Sequence, residues 1–180
     1  MENLENQIEK LENQVVEKIA DNVYTFGVSK TVGRVFGIIS LNRDPMTLEQ
    51  LSEAMGMSKM RMSQVVREMI ELNLAEKVFM KGVRKDLVIV ENDYYQTFIA
   101  LFTANWRKTI SKSKLHEHSL YKKLLHVREE GMLNAELEAQ LDNLLVEIKG
   151  SLDYLDWISR LIEFFESGEI FKHVPKAEDK

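Results

Sequence analysis

Residues 57–74 constrain the fold more than any other stretch of the chain. Met62, Val65, Val66, Met69 and Leu72 recur there at helical spacing and form a buried stripe, leaving Lys59, Met60, Arg61, Ser63, Gln64 and Arg67 on the polar side. Asn42 to Pro45 reads as a turn, because proline fixes its own φ and disfavours helix just before it. From Pro45 to Leu48 a short helix opens, and it ends near Gly56. Thr47 and Gln50 are spaced for a capping box, and Leu48, Leu51 and Met55 supply the inward face. Ser58 then starts the second helix, and two helices joined so tightly form a helix-turn-helix.

The polar side of the second helix carries the chemistry of a base reader. Arg pairs bidentately with guanine and Gln with adenine in the major groove, which is as wide as a helix, so Arg61, Gln64 and Arg67 are candidates for base edges. Ser58, Lys59, Met60 and Ser63 flank them, and hydroxyls and lysines more often hold phosphates. The bland alternative is a solvated helix face, and the helix and turn before it favour recognition.

Two β-prone runs follow, Glu76 to Met80 and Asp86 to Val90, around the basic tip Lys81-Gly82-Val83-Arg84-Lys85. A hairpin directly after a recognition helix is the wing of a winged helix. Lys81, Arg84 and Lys85 then lie along a DNA backbone or in the minor groove, where cations are attracted. An exposed turn with ordinary charges is the alternative.

At 180 residues the chain can bury one good core or hold two small lobes. Its net charge of −5 argues at first sight against nucleic acid. The charge is segregated, however: residues 57–90 hold seven Lys/Arg against four Asp/Glu, while residues 134–169 hold two against nine. A basic lobe on an acidic scaffold still offers phosphate a focused footprint. Cysteine is absent, which excludes disulfides and thiolate catalysis. No signal peptide is read in Met1 to Glu5, and no uncharged run approaches the roughly 18 to 20 residues that span a bilayer, so a cytoplasmic protein without a membrane partner is expected.

The flanking segments read as helices. Leu4, Ile8, Leu11, Val15, Ile19 and Val23 form one apolar face, which fits either packing on the chain's own core or pairing with a second subunit. Gly27 suits a left-handed helix end and Ser29 the next N-cap. In the helix from Thr31 to Leu41, Val32, Val35, Phe36 and Ile39 face inward, and Gly33 and Gly37 permit another helix to come close. Arg34 there reads as a structural salt bridge ahead of a phosphate contact.

Asn92 or Asp93 caps a helix whose aromatic residues Tyr95, Phe98, Phe102 and Trp106 recur at three, four and four. Such a stripe is usually core, the alternative being an aromatic cage for a quaternary ammonium ligand. Residues 107–128 then hold seven basic residues and one acidic, Glu117, and either pair with the acidic final helix or extend the DNA-facing surface. From about Asn134 to Glu166 runs what reads as the longest helix, near 50 Å at about 1.5 Å per residue, with Leu137, Leu141, Leu144, Ile148, Leu152, Leu155, Ile158, Ile162 and Phe165 on one side. Dimerisation is its natural use. Gly168 ends it, and a polar tail closes the chain.

The helix-break-helix of residues 26–37, the unit at residues 57–74 and the tip Gly82-Val83-Arg84-Lys85 together resemble the GbsR branch of the MarR-like winged-helix repressors. The expected fold is mainly α with a small β-hairpin wing: an N-terminal dimerisation helix over residues 1–25, a winged helix-turn-helix over 26–92, a helical dimerisation and effector region over 93–171, and the tail over 172–180. The resemblance implies a dimeric repressor of genes for uptake or synthesis of compatible solutes such as glycine betaine, bound to a pseudo-palindromic operator in double-stranded DNA. It also implies choline or another quaternary ammonium effector, for which Tyr95, Phe98, Phe102 and Trp106, with Tyr154 or Trp157, are the candidates. A winged-helix adaptor that never binds specific DNA is the competing reading, favoured by the acidic total. Neither a cofactor nor an enzymatic activity is expected: His116 and His118 are two apart, off one helix face, and no nucleophile motif or phosphate loop is visible.

Overall fold

The computed structural model describes residues 3–80, 82, 85–131 and 133–177. The first helix, α1 (Leu4–Tyr24), starts on Asn3, whose side chain accepts from the Glu5 N–H. Gly27, at φ +78°, turns the chain into α2 (Lys30–Asn42), and the Ser29 hydroxyl caps it by accepting from the Val32 N–H at 3.3 Å. The two glycines of α2 lie against α1: a Cβ on Gly33 would sit 2.8 Å from the Ala20 Cα, and one on Gly37 3.3 Å from the Val16 Cα. Lys30 bridges Asp21 at 3.0 Å and Arg34 bridges Glu17 at 2.7 Å along the same contact, giving Arg34 its structural role.

Between α2 and the helix-turn-helix the chain makes a strand that the sequence had assigned to the turn and the helix opening. Met46–Thr47 (β1) pairs antiparallel with β3 (Leu87–Val90), with Met46 opposite Val88 and Thr47 opposite Leu87. The hairpin's other strand, β2 (Ala75–Val78), flanks β3 on its far side, so the wing belongs to a three-stranded sheet of order β1-β3-β2 and not to an isolated pair. Pairing on both edges secures a four-residue strand that a two-stranded hairpin would leave marginal.

Immediately after β1 comes α3 (Leu48–Met55), entered through the expected capping box of Thr47 and Gln50 and left through Gly56 at φ +61°. The next helix, α4 (Lys59–Glu71), begins on Ser58, whose hydroxyl accepts from the Arg61 N–H. Asn73 at φ +56° turns the chain into β2. The anticipated stripe of α4 is buried at Met62, Val65, Val66 and Met69, and joins Val32, Val35, Phe36, Ile39, Leu51, Leu74, Val88 and Leu101 in one core.

The longest helix is α5 (Tyr94–Glu130), 37 residues against 32 for α6 (Ala135–Glu166), contrary to the expectation for residues 134–166. Nothing in residues 107–128 breaks the helix: Gly and Pro are absent from them, and the basic residues are good helix formers. Asp93 caps α5 by accepting from the Tyr95 N–H at 2.8 Å, resolving the choice between Asn92 and Asp93. A short helix, α7 (Ile170–His173), follows Gly168.

The chain divides into two compact units, residues 1–104 and 105–180, with α5 running through the boundary. In the second unit α6 runs antiparallel to the end of α5, as its bridges require: Arg107 pairs with Glu166, Lys114 with Asp156 and Arg128 with Asp142. The basic residues Arg107, Lys114 and Arg128 therefore pair with the acidic helix along the hairpin. Along α6 the buried positions are Leu141, Leu145, Leu155, Ile158 and Ile162. Leu144, assigned to this side, is exposed, and Leu145 takes its place because the true stripe advances by four from Leu141 where the assigned one advanced by three.

Candidate DNA-binding surface

The outward side of α4 is built by the same spacing that builds the core. With Met62, Val65, Val66 and Met69 buried, Lys59, Met60, Arg61, Gln64 and Arg67 are exposed, and Ser63 is half-buried at the edge of the face. Arg61 and Gln64, one turn apart, touch: the Arg61 guanidinium donates to Gln64 Oε1 at 3.2 Å. That bond sets the two side chains on one stretch of the helix with donors to spare, a guanidinium having five N–H groups and an amide two. Ser58 uses one hydroxyl lone pair for the cap and retains its proton as a donor.

Lys59 reaches back to Glu49, in the first turn of α3, at 2.5 Å, and Lys85 approaches the same carboxylate oxygen at 3.6 Å. Glu49 was not among the sequence candidates, and no local pattern marks it, because its two partners lie ten and 36 positions away. Its carboxyl is held below the usual carboxylate range, first by the Lys59 hydrogen bond, then by its own backbone N–H and by the charges of Lys59 and Lys85. Lys77 and Asp86 tie β2 to the hairpin end at 2.7 Å. Phe79 and Met80, read as strand, lie beyond β2 and are exposed, Phe79 by 85%. The wing candidates Lys81 and Arg84 lie outside the described residues; Lys85 is described and exposed.

The six aromatic candidates fall into two groups. In the first unit, Phe98 meets Phe26 edge-on at 5.8 Å and stacks on Phe102 at 6.1 Å, and it lines a cleft of about 180 Å³ with Ile19, Val23, Phe26, Tyr94 and Leu101. In the second unit, Tyr154 meets Trp106 edge-on at 6.5 Å and stacks on Trp157 at 6.4 Å. The stripe is not the core face of α5. Tyr95 and Phe98 are exposed by more than 40%, whereas Thr97, Ile99, Leu101 and Thr103 are buried. Aromatic spacing alone could not tell the two sides of the helix apart, since apolar residues stand on both.

Of the two histidines flanking Glu117, neither gains a metal-binding partner there: the described residues hold no group of three or more His, Asp or Glu able to bind an ion. Glu117 instead accepts from the Ser151 hydroxyl at 2.7 Å, a bond between α5 and α6. No helix among the described residues is long and apolar enough to cross a membrane.

A family model described as the C-terminal helical hairpin of GbsR family transcriptional regulators matches residues 94–172, the span of α5 to α7. Three proteins of Bacillus subtilis (strain 168) are similar along nearly their whole length. The chain is 59% identical over 172 residues to the HTH-type transcriptional repressor OpcR, covering 96% of this chain and 93% of that one. It is 60% identical over 169 residues to the putative HTH-type transcriptional regulator YvaV, covering 94% and 95%. To the HTH-type transcriptional repressor GbsR it is 30% identical over 168 residues, covering 93% of each. With its helix-turn-helix, wing and helical hairpin, the chain belongs to the GbsR family of DNA-binding, helix-turn-helix transcriptional regulators.

Proposed function

We propose that this regulator is a homodimeric repressor that reads a pseudo-palindromic operator through Arg61, Gln64 and Arg67, with Ser58, Lys59, Met60, Ser63 and the wing residues Lys81, Arg84 and Lys85 at their flanks. The observation that carries the reading is the exposed polar side of α4, whose other side is core, so that the helix can enter a groove without unpacking. Likeness to OpcR and GbsR, both named as repressors, supports the sign of regulation. One lobe of modest charge binds weakly; two lobes spaced by one helical turn of DNA, about 34–36 Å, bind as a unit. The exposed Leu4, Ile8, Leu11 and Val15 of α1 supply an apolar stripe for the second copy.

The genes under control are those for uptake or synthesis of compatible solutes, and the effector is a quaternary ammonium compound such as choline. Two clusters of rings suit such a cation, which is attracted to aromatic faces within about 6 Å of a ring centroid. The Trp106, Tyr154 and Trp157 group is favoured, Tyr154 and Trp157 being half-exposed; Phe98 and Phe102 are the second candidate, with Tyr95 three positions before Phe98 on α5. An effector can shift the protein only through different affinities for its DNA-binding and released forms.

A mobility-shift titration on promoter fragments tests the reading, run with and without choline. Arg61→Ala is expected to weaken specific binding by about 1–3 kcal/mol, and Lys85→Ala to lower the salt slope by about 1. If both variants bind like the parent, α4 is not the reading helix. An unchanged shift across a choline titration removes the effector assignment and leaves the DNA surface standing.

A further inference from the structure

Three charged side chains from three separate segments meet beside α4. Glu49 presents one carboxylate oxygen to Lys59 Nζ at 2.5 Å, at the start of α4, and to Lys85 Nζ at 3.6 Å, in the hairpin. The carboxyl also accepts from its own backbone N–H at the start of α3, and these partners shift its titration down, further from the neutral pH at which a glutamate is already ionised. Two ammonium groups and a first-turn amide form the donor set that a backbone phosphate oxygen takes from a DNA-binding protein. Here that set is filled by the chain's own carboxylate. Fold stability gives little reason for the arrangement, since all three side chains are at least 41% exposed and exposed ion pairs contribute little.

We propose that Glu49 masks a DNA-backbone contact site: its carboxylate occupies Lys59 and Lys85 in the free protein, and a duplex phosphate takes its place when DNA docks. This rests on α4 and the hairpin being the DNA-facing surface. The phosphate must displace an existing partner, and the released carboxylate remains beside a dense row of like charge. Glu49 therefore weakens the part of binding that carries no sequence information. It limits how firmly the protein holds DNA of any sequence, which is the competitor a regulator meets in excess.

The test is binding of the full chain to a random-sequence duplex, titrated with salt, for the parent, Glu49→Gln and Glu49→Ala, each checked by thermal melting. The expected result is about two- to fivefold tighter binding at low salt for both variants. The slope of log affinity against log salt should steepen by about 0.9, one phosphate equivalent. In a Lys59→Met/Lys85→Met background, Glu49→Gln should tighten binding by less than it does in the parent, because the carboxylate then masks no ammonium group and only its repulsion of the phosphates remains. Unchanged or weaker binding by the single variants, tighter binding without a steeper slope, or an effect of undiminished size in the double-lysine background each overturns the proposal. A parent protein with no salt-dependent binding to any duplex would instead overturn the DNA-facing surface on which it rests.

Discussion

At the scale of single residues, the close approach of α2 to α1 is decided by a hydrogen atom. Gly33 brings α2 so near to α1 that an added Cβ would lie 2.8 Å from the Ala20 Cα and 3.0 Å from its carbonyl oxygen. Both are backbone atoms and neither can rotate away. Gly33→Ala is therefore expected to lower stability by about 1–3 kcal/mol, the usual cost of overpacking, with a matching fall in Tm. Gly150, in α6, has nothing within 4 Å of its added Cβ. Gly150→Ala should raise stability by about 0.5–1 kcal/mol through helix propensity. Thermal melting of the two variants separates contact from propensity, and equal shifts would contradict the close approach. The four-residue spacing of Gly33 and Gly37 was legible as a site of close approach, but spacing does not say which helix arrives.

Among the elements, α5 and α6 show how segregated charge becomes structure. The basic run of residues 107–128 lies antiparallel to an acidic helix, and Lys114 bridges Asp156 at 2.6 Å while donating to the Ser159 hydroxyl. The Asp156 carboxyl is held below its usual range, first by the Lys114 hydrogen bond and then by that lysine's charge. A depressed carboxylate contributes stability above its unfolded value and loses it as pH falls through the folded value. The gap in urea midpoint between the parent and Lys114→Met should accordingly be present at neutral pH and close in acid below the ordinary aspartate range. A gap that stays constant down to that acid pH would mean that Lys114 acts through its aliphatic stem and not through Asp156. The pairing of a basic with an acidic segment was visible in composition; the register of the bridges was not, because it depends on where two long helices stop sliding.

For the molecule as a whole, the exposed apolar stripe of α1 predicts an assembly. Leu4, Ile8 and Leu11 are each more than half exposed, whereas Ile19 and Val23 on the same face are buried. One face thus serves the chain's own core at its C-terminal end and offers a surface at the other. An Ile8→Glu/Leu11→Glu variant is expected to sediment as a monomer and to lose operator binding together with its partner, since one lobe makes only half of the contacts. A variant that remains dimeric in sedimentation would place the interface elsewhere.

Local chemistry in the sequence was enough for α1 to α4 and α6, for the caps at Ser29, Thr47 and Ser58 and for the turn between α3 and α4, though not for the length of α5 or for α7. A capping box, a hydroxyl at an N-cap and an apolar residue every three or four positions act within a few residues of one another. The buried side of α4, and with it the exposed side carrying Arg61 and Gln64, follows from that spacing alone. Contacts between distant segments belonged to the tertiary structure. Met46 becomes a strand because Val88 stands opposite it, 42 positions on. Leu145 and not Leu144 is buried, and the aromatic stripe of α5 turns away from the core, because packing partners choose between two apolar sides of one helix. Lys59 and Lys85 converge on Glu49 for the same reason: a charge is placed by the fold around it, and no periodicity along the chain records where its partner will be.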